Sequence, residues 1–153
     1  MSEFVFNQVP FDKLELKDLY GILRSRSEVF IIEQNIMYQD MDFIDFKSLH
    51  FFVKEGGEVI TYLRLIPPGV KYPEASIGRV LTLKNYRRKG LSKNLIEKAI
   101  SYCLNNNWPI KIEAQAYLED FYKRLGFETV SSPFILEGIN HVSMIYNPES
   151  TSK

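Results

Sequence analysis

The chain has 153 residues, with 19 basic and 19 acidic side chains and a formal net charge of zero. That length predicts one domain with a sizeable core, expected over residues 1–147, and the charge balance disfavours a nucleic-acid binder, which usually carries a basic surplus. A single cysteine, Cys103, forbids an intramolecular disulfide and fits a reducing, cytoplasmic setting; no apolar run approaches the ~20 residues of a membrane span, and the start of the chain has no secretory pattern.

Residues 4–8 read as a short first strand. Over residues 16–31, Leu16, Leu19, Tyr20, Leu23, Val29 and Phe30 keep roughly helical spacing. The polar stretch 35–47 predicts a loop with short irregular turns. Residues 49–54 and 59–66 predict strands joined through Glu55-Gly56-Gly57-Glu58, a hairpin signal. Pro67-Pro68-Gly69 ends the second of these, and a loop runs to Pro73. Residues 75–83 return as a strand. Leu91, Leu95, Ile96, Ala99, Ile100, Cys103 and Leu104 then form one face of an amphipathic helix, with Cys103 as a packed apolar residue, and Asn105-Asn106-Asn107 ends it. After Trp108-Pro109, residues 111–115 predict a short strand. Leu118, Phe121, Tyr122 and Leu125 give one face of a short helix, with Gly126 where a helix end favours a left-handed residue. Residues 134–136 and 141–146 predict the last antiparallel strands, and 148–153 a disordered tail. This order implies an α/β (α+β) fold with a mixed, mostly antiparallel sheet flanked by helices, in which a right-handed strand–helix–strand crossover makes two strands parallel.

The most telling stretch joins the strand at 75–83 to the long helix. Lys84, Arg87, Arg88, Lys89 and Lys93 lie there with no acid among them, around Gly90. A glycine turn opening onto a helix N-terminus presents unpaired N–H groups and a favourable dipole to an anion, so the expected guest is a phosphate or pyrophosphate. A Walker loop is excluded because Gly-x-x-x-x-Gly-Lys-Ser/Thr is missing, and a dinucleotide fingerprint because Gly90 stands without its companion glycines.

The turn Arg87-Arg88-Lys89-Gly90-Leu91-Ser92 resembles the Gln/Arg-x-x-Gly-x-Gly/Ala signature of the GCN5-related N-acetyltransferases (GNAT), with Ser92 departing from Gly/Ala. The strand at 111–115, the helix carrying Tyr122 and the pair Gly126-Phe127 resemble the second signature of that superfamily. Val29-Phe30-x-x-Glu33-Gln34 and Gly138-Ile139-x-His141-x-x-Met144 look like its ElaA-like branch. The resemblance spans roughly residues 4–146. It implies the acyl-CoA N-acyltransferase fold, in which two strands splay apart and the pantetheine arm enters the gap. It also implies acetyl-CoA as cosubstrate, backbone donors near Leu81, Thr82 and Leu83, and a pyrophosphate held by Arg87, Arg88, Lys89, Gly90, Leu91 and Ser92. Tyr122 matches the tyrosine that protonates the departing thiolate, and a phenol of pKa ~10 carries that proton at neutral pH. The base is left between Glu33 and His141, with His50 less favoured. No metal is expected, since two distant histidines and one helix cysteine lack ligand spacing.

The expected reaction is acetyl transfer to a primary amine by direct attack in a ternary complex. The alternatives are a catalytically inactive CoA-binding module and an anion-binding structural domain. Residues 27–46 hold Glu28, Glu33, Asp40, Asp42 and Asp45 with no Lys or Arg. As the lining of an acceptor cleft they would favour a cationic small-molecule or peptide amine; the bland alternative is a solvated patch. Neither nucleic acid nor membrane is expected as a partner, and a homodimer is left open.

Overall fold

In the computed structural model, residues 4–147 are described; the tail expected at 148–153 lies outside them. The fold is organised around β3 (Glu58–Ile66), in which every residue from Val59 to Ile66 is buried. A strand covered on both faces needs a near-continuous apolar run, and Val-Ile-Thr-Tyr-Leu-Arg-Leu-Ile supplies one interrupted by Arg64. β2 (Leu49–Glu55) precedes it across the Gly56-Gly57 turn, β1 (Phe6–Pro10) lies outside β2, and β4 (Ser76–Thr82) lies on the other flank. All three pairings are antiparallel, in the order β1-β2-β3-β4. β1 starts two residues later than the sequence suggests, because its ladder runs from Phe6 opposite Val53 to Pro10 opposite Leu49.

The expected first helix changes winding part-way. α1 (Leu16–Arg26) is α-helical, whereas Ser27–Glu33 is π-helical. The N–H of Gln34 reaches the carbonyl of Val29 at 3.3 Å and that of Ile36 reaches Ile31 at 3.2 Å, both five residues back. α1 lies on β3, where Ser25 Oγ donates to the Val59 carbonyl at 2.5 Å. α2 (Leu91–Asn105) also packs on β3, through Leu95, Ile96, Ala99, Ile100 and Cys103. Burial pushes the Cys103 thiol up to about 12, so it remains an inert packing group.

A second sheet has the order β5 (Lys111–Gln115), β8 (Ile139–Tyr146), β6 (Phe127–Thr129), and β7 (Phe134–Leu136) pairs with the start of β8. β6 was not expected from the sequence; three residues are too few for an alternation to register. α3 (Glu119–Arg124) follows a 3-10 turn at Ala116–Leu118 and ends at Gly126, whose φ is 111°.

The two sheets touch at one parallel bridge, Ala75 with Ile110, in which the Ala75 N–H reaches the Pro109 carbonyl at 2.9 Å and the Lys111 N–H reaches the Ala75 carbonyl at 2.8 Å. The parallel pair implied by the crossover is therefore confined to its first residues. Among the described residues β4 and β5 form no ladder beyond it, and the gap between them opens as a V. β4 also carries a bulge on that gap: Tyr62 faces Leu81 and Arg64 faces Gly78, so Leu63 is opposed by both Arg79 and Val80. Arg79 sits there at φ 52°, a left-handed conformation that is uncommon for a non-glycine residue.

Candidate active site

A cleft of about 640 Å³ occupies the V between β4 and β5. Of the residues expected to meet the cosubstrate, Leu81, Thr82, Arg87, Arg88 and Ser92 line it. Arg88 (φ 67°) and Gly90 (φ 74°) are both left-handed, and no side chain caps the start of α2. A glycine is needed at position 90 because an L side chain at that φ is strained, and with no Cβ the turn leaves the helix start open to an anion. Ser92 has a local reason to differ from Gly/Ala. Its hydroxyl is 2.7 Å from Thr82 Oγ1, which is 3.0 Å from Thr61 Oγ1, and Thr61 donates to the Leu81 carbonyl at 2.9 Å. The chain of hydroxyls fastens the helix start to β4.

One expectation on this wall, Leu83, is corrected, and another residue, Arg87, has local partners. Leu83 is buried and its N–H is bonded to the Ile60 carbonyl at 2.8 Å, so it is no free donor for the thioester. The Arg87 side chain is already engaged: Nε donates to the Thr82 carbonyl at 2.8 Å, and its two terminal nitrogens grip Glu33 at 2.6 and 2.7 Å. Lys89, Gly90 and Leu91 belong to the turn but do not line the cleft, and Lys89 lies over the Tyr86 ring at 5.6 Å.

All three residues expected to carry the chemistry line this cleft. α3 delivers Tyr122, which packs edge-on against Phe121 and Phe127. It is 7% exposed, and its hydroxyl has no partner among the described residues. Burial pushes the phenol above its ordinary range, so it stays protonated. β8 delivers His141, opposite Gln115 of β5 and Phe134 of β7. Its Nδ1 donates to the Ile139 carbonyl at 2.8 Å, so in the neutral ring it is Nε2 that carries the lone pair, and Nε2 has no partner among the described residues. Glu33, at the end of the π-helical segment, is different: the hydrogen bonds from Arg87 hold its carboxyl below the usual range, which makes it a weaker base. His50 is structural. Its Nε2 donates to the Asp45 carbonyl at 3.0 Å, Nδ1 lies 2.6 Å from the Tyr62 hydroxyl, and burial lowers its pKa.

The acidic run is the largest departure from expectation. Asp40, Asp42 and Asp45 face Arg26, Arg64 and Arg79, which come from α1, β3 and β4. Arg26 reaches Asp40 at 2.9 Å and Asp45 at 2.7 Å; Arg64 reaches Asp42 at 2.7 Å and Asp45 at 3.0 Å; Arg79 reaches Asp40 at 2.6 Å. With Glu33 on Arg87, four of the five carboxylates are neutralised by cations outside residues 27–46. The network has a structural task, since its grip on Arg79 holds the strained residue of the β4 bulge against the cleft. Local spacing does not mark Arg64 and Arg79 as partners of these carboxylates. One signal was available: an arginine inside the apolar run of β3 must be paired with a carboxylate to be buried. Among the described residues no group of His, Cys, Asp and Glu is placed to hold a metal, and no helix is long and apolar enough to cross a membrane.

The fold as a whole has close counterparts among solved structures. An acyl-CoA N-acyltransferase from Pseudomonas aeruginosa superposes with a TM-score of 0.89 at 31% identity, over 94% of this chain and 99% of that one. Escherichia coli ElaA superposes with a TM-score of 0.88 at 27% identity, over 95% and 100%. In sequence, a UPF0039 protein of Synechocystis is 37% identical over 89% of this chain and 90% of its own length, and Escherichia coli ElaA is 31% identical over 86% and 89%. Residues 17–148 match the acetyltransferase (GNAT) domain, and the segment so matched contains both walls of the cleft. The chain belongs to the GNAT acetyltransferase family, with ElaA and the UPF0039 proteins among its relatives.

Proposed function

We propose that the protein transfers an acetyl group from acetyl-CoA to a primary amine by direct attack in a ternary complex. The observation that carries this reading is the meeting, in one cleft, of an uncommitted phenol, an imidazole with a free Nε2 and the open start of α2. When bound, acetyl-CoA supplies the activated acyl carbon, with its pyrophosphate on the turn of Arg88, Lys89, Gly90, Leu91 and Ser92. His141 Nε2 takes the proton that the amine loses as the C–N bond forms. Tyr122 hydrogen-bonds the sulfur and returns a proton as the C–S bond breaks, so one amide and one thiol leave. Arg87 and Glu33 brace the turn against the π-helical segment. A general acid and a general base each contribute typically ~100- to 10,000-fold.

A catalytically inactive CoA-binding module has no evident use for a partnerless tyrosine hydroxyl on the cleft wall. CoA release from acetyl-CoA with a panel of primary amines tests the reaction, and calorimetry with CoA tests the binding site. Gly90→Glu adds bulk and negative charge at the turn, and nothing lies within 4 Å of its Cβ position. The left-handed φ strains an L side chain by about 1–2 kcal/mol, less than the stability of a typical domain, so the variant should stay folded without measurable CoA binding. Unchanged affinity in that variant would remove the pyrophosphate assignment.

A further inference from the structure

The narrow end of the cleft holds two donors that the described residues leave unused. Ser76, the first residue of β4, is 4% exposed, and its hydroxyl has no partner among the described residues. Arg64 Nε is the only partnerless side-chain atom among them that is sealed from solvent, so the Ser76 hydroxyl is open, and the space it opens on is the cleft. Buried polar groups are paired as a rule, and an unpaired one calls for an explanation. The second donor is Lys71, in the loop between β3 and β4. The Tyr72 hydroxyl donates to Glu113 of β5 and ties this loop across the V. Lys71 Nζ stands 3.3 Å from the same carboxylate oxygen as an ion pair, and makes no hydrogen bond among the described residues. Its side chain is 35% exposed and lines the cleft.

Strand geometry puts both donors on the side of the sheet that carries His141. Side chains alternate along a strand, and neighbours across a ladder or bridge share a face. Ala75 and Ile110 are partners at the bridge, so Ser76 and Lys111 project from the opposite face. Glu113 and Gln115 follow Lys111 at two-residue steps, and Gln115 is paired with His141. On this face the cleft is therefore lined by Ser76 and Glu113 at its narrow end, with Lys71 beside Glu113, and by Gln115 and His141 about 7 Å further along.

We infer that Lys71 and Ser76 form an acceptor subsite for a carboxylate, held about 7 Å from the amine that His141 deprotonates. An ammonium and a hydroxyl together complement the two oxygens of a carboxylate. Glu113, fixed by the Tyr72 hydroxyl, orients the Lys71 ammonium. A second ammonium, Lys111, stands 4.7 Å over the Tyr72 ring, and Glu74 makes no ion pair with either lysine. An α-amino acid is too short for the span, which takes about five bonds at ~3.5 Å per three. The acceptor class is therefore an ω-amino acid, with 5-aminopentanoate as its test case. This inference rests on the acetyltransferase reading.

The test compares 5-aminopentanoate with 5-aminopentanamide, which differ in the charge of the far end. The wild-type protein should prefer the carboxylate in kcat/KM by about tenfold or more, chiefly through KM, the equivalent of ~1.4 kcal/mol. Lys71→Met should bring the ratio to about one, whereas Lys71→Arg should keep most of it. Ser76→Ala should reduce it by less than Lys71→Met does. Glu113→Gln separates attraction from repulsion: it removes the carboxylate that competes for Lys71 and should raise the preference. Equal kcat/KM for the pair, a preference that survives in Lys71→Met, a preference lost in Glu113→Gln, or turnover of neither amine by a protein that binds CoA would each overturn the subsite while leaving the CoA site standing. Failure to bind CoA in calorimetry would overturn the acetyltransferase reading and the subsite with it.

Discussion

The two flanks of the cleft are built on opposite principles. The turn from Thr82 to Ser92 is continuous in sequence and works through its backbone: left-handed Arg88 and Gly90, an uncapped helix start, and a chain of hydroxyls onto β4. The flank behind the β4 bulge is assembled from Arg26, Asp40, Asp42, Asp45, Arg64 and Arg79, and works through side-chain charges. A contiguous backbone motif keeps its meaning wherever it is read. A contiguous run of charges does not, because its counter-ions can arrive from strands far away in sequence, as Arg64 and Arg79 do here.

The largest effect is expected where the two flanks meet the reacting atoms. Tyr122→Phe should keep CoA affinity and lower kcat by ~100- to 10,000-fold. Burial raises the phenol's pKa above its ordinary ~10, so Tyr122 itself should add no alkaline fall in kcat below that pH. A wild-type rate in the variant would reduce Tyr122 to packing against Phe121 and Phe127.

Asp45→Ala strikes the charge-built flank alone. It strips a partner from both Arg26 and Arg64, which are fully buried. Breaking a buried pair on one side costs about 3–5 kcal/mol, which is roughly 6–20 °C in melting temperature for a chain of this size. A loss of under ~1 kcal/mol, the usual range of exposed pairs, would show the cluster to be surface-like and would erase the contrast between the flanks.

What was legible in the sequence follows the same division. β5 was read to the residue and α2 nearly so, because periodicity and flanking breakers are local signals. Arg87, Arg88 and Ser92 of the turn line one cleft with Tyr122 and His141, while Gly90 itself lies outside its lining. The change to π-helical winding after Arg26 left no trace in the spacing, since Val29 and Phe30 suit either winding. β6 is defined by its pairing with β8, a long-range property. The missing counter-charges at residues 27–46 were a true observation about sequence and a wrong one about space. Only strand pairing brings Arg64 and the bulged Arg79 to the aspartates.

Acid should weaken the charge-built flank in two steps. Burial holds His50 neutral, so its folded pKa lies below the unfolded value of ~6.5. As pH falls through ~6.5 the unfolded chain takes up the proton first, and stability declines by up to ~1.4 kcal/mol per pH unit. Burial alone would raise the Asp42 carboxyl, but the hydrogen bonds and charge of Arg64, with Arg79, outweigh it and hold the group at about 2. Its contribution is complete above the unfolded value of ~3.9 and is lost as pH falls through about 2. Denaturant midpoints measured from pH 7 to pH 3 should therefore fall throughout, and Asp42→Asn should flatten the lower part. A profile unchanged by Asp42→Asn would show that the carboxylate is not held by the arginines.

The smallest effect is expected at the exposed ion pair between the π-helical segment and the turn. Glu33 sits at the end of the π-helical segment and grips Arg87 of the turn. The pair is more than a third exposed on both sides, and such pairs contribute about 0–1 kcal/mol. Glu33→Gln keeps an acceptor for Arg87 and should move the melting temperature little. If Glu33 only braces Arg87, kcat should change by less than ~5-fold, the equivalent of about 1 kcal/mol, with any larger change confined to KM for acetyl-CoA. A loss of ~100-fold or more in kcat would instead make Glu33 the base. The same logic bears on steering. With Asp40, Asp42 and Asp45 matched by arginines and Glu33 by Arg87, little negative field is left to draw in a cationic acceptor. Two amines differing only in a remote positive charge should then show similar kcat/KM at low salt, where screening is weakest. A clear preference for the charged amine that disappears in Glu33→Gln would mean that the ion pair opens when substrate arrives, and that the two flanks exchange partners during the reaction.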